Sequence, residues 1–122
     1  MTPQSVRRRL GIDIDKAREI AALANGEKEP RDYPSADHYY RSCYNEPDNE
    51  YVALYAINEV LETYGIEGWC RKNTNYRGGV SYCNTGGPYA PTVFLVTDKY
   101  GMSRFVCSDF ATMAERYPSV GD

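Results

Sequence analysis

The apolar residues change their spacing at Gly65, and that switch constrains the fold more than any other feature of the chain. Upstream they recur every third or fourth position, as in Ala53, Leu54, Ile57, Val60, Leu61 and Tyr64, which makes one wide stripe on a helix. Downstream they alternate, with Val80, Tyr82 and Asn84 set against Ser81, Cys83 and Thr85, as a half-buried strand requires. Helices first and strands afterwards predict an α+β domain. Its expected order is three N-terminal helices, a three- or four-stranded antiparallel β-meander and a short C-terminal helix.

The first helix is expected within Leu10 to Gly26, capped by Asp13 and stopped at Asn25-Gly26. Glu27 to Pro34 carries two prolines and five charged residues in eight, the composition of a surface connector. Ser35 opens a second helix that runs to Tyr44. The third runs from Asn49 to Tyr64, capped by Asp48 or Asn49 and ended by Gly65, and is expected to be the main support of the sheet. Strands are expected at Ile66 to Arg71, Val80 to Thr85, Thr92 to Thr97 and Met102 to Ser108. The third of these is apolar on both faces, as in a central strand with cover on both sides. Asp109 is placed to cap a last helix, Phe110 to Tyr117. At 122 residues the chain has room for one domain. Residues 1–9 are expected as a flexible basic tail, 10–65 as the helical part, 66–108 as the antiparallel sheet and 109–122 as the short helix and tail.

Fourteen Lys and Arg against seventeen Asp and Glu give a net charge of −3, whereas a dedicated nucleic-acid-binding protein is usually basic. No apolar run reaches the ~18 to 20 residues that span a bilayer, so the expected location is the cytosol. The four cysteines, Cys43, Cys70, Cys83 and Cys107, have 26, 12 and 23 residues between them, and His38 is the one histidine. That spacing is poor for zinc, and neither a metal nor a cofactor is expected. The ordinary role for such cysteines in a reducing compartment is that of small, partly buried apolar side chains, with a structural metal or a disulfide as the alternatives.

Chemistry is as sparse. Gly78-Gly79 and Gly86-Gly87 precede neither a GK[ST] phrase nor a helix, so no phosphate cradle is indicated. His38 and Cys43 are five residues apart and do not share a helical face, which leaves no Cys-His nucleophile pair. Glu59 and Glu62 read as solvated charges on the outer side of the third helix. No catalytic constellation emerges, and a non-enzymatic role is expected.

Twelve of the residues are tyrosine, against three Phe and one Trp. Tyr55, Tyr64 and Tyr82 fall on stripe or strand positions and read as packing. Two other groups are candidate partner-binding surfaces, because adaptable Tyr-rich surface is enriched at protein interfaces. One comprises Tyr76, Tyr89 and Tyr100 in the inter-strand loops together with Asn84 and Thr85. The other lies among Tyr33, Tyr39, Tyr40, Tyr44 and Tyr51, with Tyr39, Tyr40 and Tyr44 as its candidate contacts. A single-stranded nucleic acid is the alternative partner, with tyrosines stacking on bases and Arg7, Arg8, Arg9, Arg71, Lys72 and Arg77 on phosphates. A small-molecule or nucleotide-signal site at the Gly86 to Tyr89 turn is the second alternative. Monomer and homodimer are both compatible with the sequence.

Two phrases carry a resemblance. Asn58-Glu59-Val60-Leu61-Glu62-Thr63-Tyr64-Gly65-Ile66-Glu67 closes a helix, and Tyr82-Cys83-Asn84-Thr85-Gly86-Gly87-Pro88-Tyr89-Ala90-Pro91-Thr92 crosses a strand and turn. Together they resemble small α+β proteins that recur in phages, plasmids and neighbouring bacterial genes. The likeness covers Tyr55 to Ser108 and departs at Gly87 and Pro88, where that group carries an acidic residue and a Thr. It implies a mobile-element accessory protein, of a kind that acts by binding and blocking a host component such as defence machinery.

Overall fold

The computed structural model describes residues 1–64, 70–71, 80–83, 91–97, 100 and 102–116. Its elements in chain order are helices α1 (Pro3–Leu10), α2 (Ile14–Ala24), α3 (Pro34–Ser42) and α4 (Asn49–Glu62), then strands β1 (Cys70–Arg71), β2 (Val80–Cys83), β3 (Pro91–Thr97) and β4 (Ser103–Asp109), and finally helix α5 (Phe110–Arg116). A single 3-10 turn, Pro30–Asp32, precedes α3. The α+β class is as the sequence predicts, with four α-helices rather than three ahead of the strands.

The additional helix is α1, and it corrects the expected flexible tail at residues 1–9. Thr2 caps it by accepting the Ser5 N–H, Pro3 supplies a first-turn φ, and Gly11 closes it at φ 69°, a left-handed conformation that glycine adopts without strain. Val6 and Leu10, four residues apart, are both buried. The three arginines that suggested a tail stand in the last turn, where positive charge complements the helix dipole. Two polar ties finish the anchoring. Arg9 Nη1 donates to the Cys107 carbonyl at 3.1 Å, joining α1 to β4, and the Met1 ammonium donates to Asn25 Oδ1 at 3.1 Å.

Helix α2 begins where expected, with Asp13 Oδ1 accepting the Lys16 N–H at 2.9 Å. Helix α4 is buried on most of its circumference, including Val52, Leu54, Ala56, Ile57, Val60 and Leu61. It sits against α2 and α3 and also reaches β3, while α1 packs on α2, β3 and β4. The sheet is therefore supported by α4 and α1 together. One contiguous core joins Val6, Ile20, Leu23, Ile57 and Leu61 to Val93 and Cys107.

The four strands are antiparallel in the order β1-β2-β3-β4. The sheet is concentrated in one ribbon, with β3 and β4 paired along their full length from Pro91 opposite Asp109 to Thr97 opposite Ser103. Val93, Phe94, Leu95 and Val96 are consecutive and all buried, so both faces of β3 are covered at that level. Asp109 caps α5, its Oδ1 accepting the Thr112 N–H at 2.7 Å.

Two further expectations change. Glu59 is not a solvated carboxylate: its Oε1 accepts the Ser35 N–H at 3.1 Å, so a side chain of α4 caps the first turn of α3. Tyr64 is not a packed ring but a partly exposed one. Its hydroxyl donates to Asp13 Oδ2, which pushes the phenol up to about 12 and holds the Asp13 carboxyl below its ordinary range.

Candidate functional site

Helix α3 decides what its tyrosines do. It is a nine-residue helix with Pro34 in its first turn, and Ala36 is its one fully buried residue. Tyr39 turns inward. Its ring stacks on Tyr55 with centroids 4.7 Å apart and tilts against Tyr51 at 5.8 Å. The three rings cover Leu54, Leu95 and Phe105, closing the corner between the helices and the β3–β4 ribbon. Burial raises the Tyr39 phenol far above its ordinary value. Tyr39 and Tyr51 are thus packing residues.

Tyr40, the next residue, goes elsewhere. The Arg31 guanidinium lies over its ring, Cζ 3.8 Å from the centroid. Arg31 Nε and Nη2 also donate to Asp37 Oδ1 at 3.4 and 3.3 Å, and Arg41 Nε donates to Asp37 Oδ2 at 2.8 Å. The Arg41 bond foremost, with Arg31 behind it, holds the Asp37 carboxyl below its ordinary range. One carboxylate between two guanidiniums fixes the side chain that covers Tyr40.

Arg31 and Tyr40 border an open cleft of about 390 Å³. Leu23 from α2 and Val52 and Ala53 from α4 give it an apolar base, since all three are buried. The connecting segment contributes Lys28 and Pro30, and Asn49 contributes an amide from the first turn of α4. Glu27 and Glu29 also line the cleft, so its rim carries both signs of charge.

Beside the cleft a second polar group pins the connector to α2. The Tyr33 hydroxyl donates to Glu19 Oε1, and Lys16 and Lys28 pair with the same carboxylate at 3.2 and 3.7 Å. Burial would raise the Glu19 pKa. The Tyr33 bond and the two ammonium groups more than reverse that, leaving it below its ordinary range. Lys28 also stands 5.2 Å over the Tyr33 ring.

The other expected contacts are dispersed. Tyr44 lies two residues beyond α3 and is fully exposed, and Tyr100, between β3 and β4, is 79% exposed. Tyr76, Asn84, Thr85 and Tyr89 lie outside the described residues, as do Lys72 and Arg77 and the turn from Gly86. Of the expected phosphate contacts, Arg7 and Arg8 are exposed on α1, Arg9 is bound to Cys107, and Arg71 belongs to β1. Sequence reasoning missed Lys28 and Arg31 by treating Glu27 to Pro34 as a plain connector, and it read Asn49 only as a helix cap. The available signal was the Pro30 and Pro34 pair, which sets two successive first turns and so folds the segment back on the helices.

Chemically the cleft offers an aromatic face, a fixed guanidinium, an amide and an apolar base. Among the described residues no group of three or more His, Cys, Asp or Glu could hold a metal ion, and no helix is long and apolar enough to cross a membrane. Comparison with protein-family models, with curated proteins and with solved structures finds no match for the chain.

Proposed function

We propose that this is a non-catalytic protein-binding domain whose α3 face and adjoining cleft receive a side-chain anchor from a partner protein. The observation that carries the proposal is the cleft itself, an apolar base rimmed by Tyr40 and the pinned Arg31. Tyr and Arg, with Trp, are the residue types enriched at the energetic centres of interfaces. A volume of about 390 Å³ admits one or two large side chains rather than a folded element. Because Asp37 and Tyr40 hold Arg31 in place, a partner would meet an ordered surface, which lowers the ordering entropy lost on binding.

The biological setting belongs to the same proposal. The chain is an accessory protein of phage or mobile-element origin, acting in the bacterial cytoplasm, and its partner is a host protein that it blocks, such as a component of defence machinery. The two phrases around Asn58 and Asn84 support that setting, and the small size and mild acidity agree with it.

A photo-reactive amino acid placed singly at Tyr40 and at Tyr44, in cells of the host, tests the proposal. Both positions should yield the same protein adduct, and Arg18, exposed on α2, should not. No adduct, the same adduct from Arg18, or an adduct with nucleic acid instead of protein would count against it.

A further inference from the structure

The β1–β2 pairing sets Cys70 opposite Cys83, with Arg71 opposite Tyr82 in the next position. Directly opposed residues of an antiparallel pair belong to the same face of the sheet, with Cα atoms about 4.5 to 5.5 Å apart. A disulfide needs a Cα separation of about 4.4 to 6.8 Å, so the register meets its first geometric requirement without moving either strand. Among the described strands β1 is an outermost one.

The other two cysteines have separate places. The Cys43 thiol lies 3.2 Å from the Tyr39 carbonyl oxygen, and Cys107 is buried beneath α1 with its Sγ 3.9 Å from Met1 Sδ. Both are free thiols. Burial pushes the Cys107 thiol up to about 11, which keeps it a poor nucleophile at neutral pH.

We infer that Cys70 and Cys83 are a thiol–disulfide site, closing a cross-strand bond when the chain meets a small-molecule disulfide such as oxidised glutathione. The thiolate of one cysteine attacks a glutathione sulfur, the glutathione S–S bond breaks, and the first glutathione leaves as thiolate. The second cysteine thiolate then attacks the protein sulfur of the mixed disulfide. The cross-strand S–S bond forms as the second glutathione thiolate departs. Both cysteines are oxidised, one glutathione disulfide is reduced to two thiols, and the protons lost by the cysteines end on those thiols or in solvent. The bond fastens β1 to β2 and ties together the ends of the segment that carries Tyr76 and Arg77.

The full chain is incubated with excess oxidised glutathione at neutral pH, the remaining thiols are alkylated, and the chain is cleaved after Glu and after Lys and Arg, which separates Cys43 from Cys70. The expected product joins the Cys70 and Cys83 peptides with the loss of two hydrogens, leaves Cys43 and Cys107 alkylated, and disappears on treatment with dithiothreitol. Cys70→Ser should leave a stable glutathione adduct on Cys83, and Cys83→Ser one on Cys70. A chain carrying separate glutathione adducts on both residues would overturn the inference. So would a bond that uses Cys43 or Cys107, or a 70–83 bond that forms no faster in the folded chain than in denaturant.

Discussion

Arg31 lies over the ring of Tyr40, its guanidinium carbon 3.8 Å from the ring centroid, while its Nη2 donates to Asp37 at 3.3 Å. Neither contact is buried. A cation over an aromatic ring at an exposed site contributes about 0.5 to 1 kcal/mol, so the arrangement shapes the surface more than it stabilises the fold. Arg31→Ala and Tyr40→Ala are each expected to lower stability by no more than about 1 kcal/mol in urea denaturation. A much larger loss in either would mean that the pair belongs to the core.

The cap supplied by Glu59 to α3 separates hydrogen bonding from charge. Glu59→Ala leaves the Ser35 N–H without its side-chain acceptor and is expected to cost about 1 to 2 kcal/mol. Glu59→Gln keeps an acceptor oxygen at the same reach and should lose less than half of that. Equal losses in the two variants would show that charge, not the bond, is what α3 requires.

Val6 provides the test of α1. It is fully buried, and truncation to Ala removes two methyl groups and leaves a cavity, for an expected loss of about 2 kcal/mol. Substitution of the exposed Arg8 by Ala should change stability by less than about 0.5 kcal/mol. A flexible tail would tolerate both changes equally.

Acid should destabilise the fold through several carboxylates at once. Asp13, Asp37, Asp109 and Glu19 all have pKa values below their ordinary range. A depressed folded-state pKa contributes stability above the unfolded value, and that stability is lost as pH falls through the folded value. The urea midpoint is therefore expected to stay level from pH 7 to about 5 and to fall below about pH 4. Glu19→Gln, which removes the shared partner of Tyr33, Lys16 and Lys28, should make that fall shallower. A midpoint that rises on acidification would contradict the assigned directions.

The helical half was the more legible part of the chain. Asp13, Asn25 and Asp48 act within one turn of themselves, and the periodic stripe of α4 is a local pattern, so the boundaries of α2 and α4 could be read from neighbouring residues alone. Helix α1 was hidden because its exposed Arg7 to Arg9 dominate the composition while only Val6 and Leu10 face inward. The tyrosines show the same limit more sharply. Tyr39 and Tyr40 are adjacent and chemically identical, and their different roles come from Tyr55 on one side and Arg31 on the other. Local sequence carries no trace of those partners. Nor does it show that the Glu27 to Pro34 segment folds back over Leu23 and Val52 to form a cleft.

The central claim is that a partner protein docks at the cleft bordered by Arg31 and Tyr40. Its most direct test is the affinity of the cross-linked partner, once isolated, for the unaltered chain and for Arg31→Glu, Tyr40→Ala and Arg18→Glu, measured by titration calorimetry at one salt concentration. Arg31→Glu and Tyr40→Ala should each weaken binding by about 30-fold, the size of a hot-spot loss near 2 kcal/mol, while Arg18→Glu changes it by less than about threefold. Unchanged affinity in the two cleft variants, with their folds intact, would contradict the account.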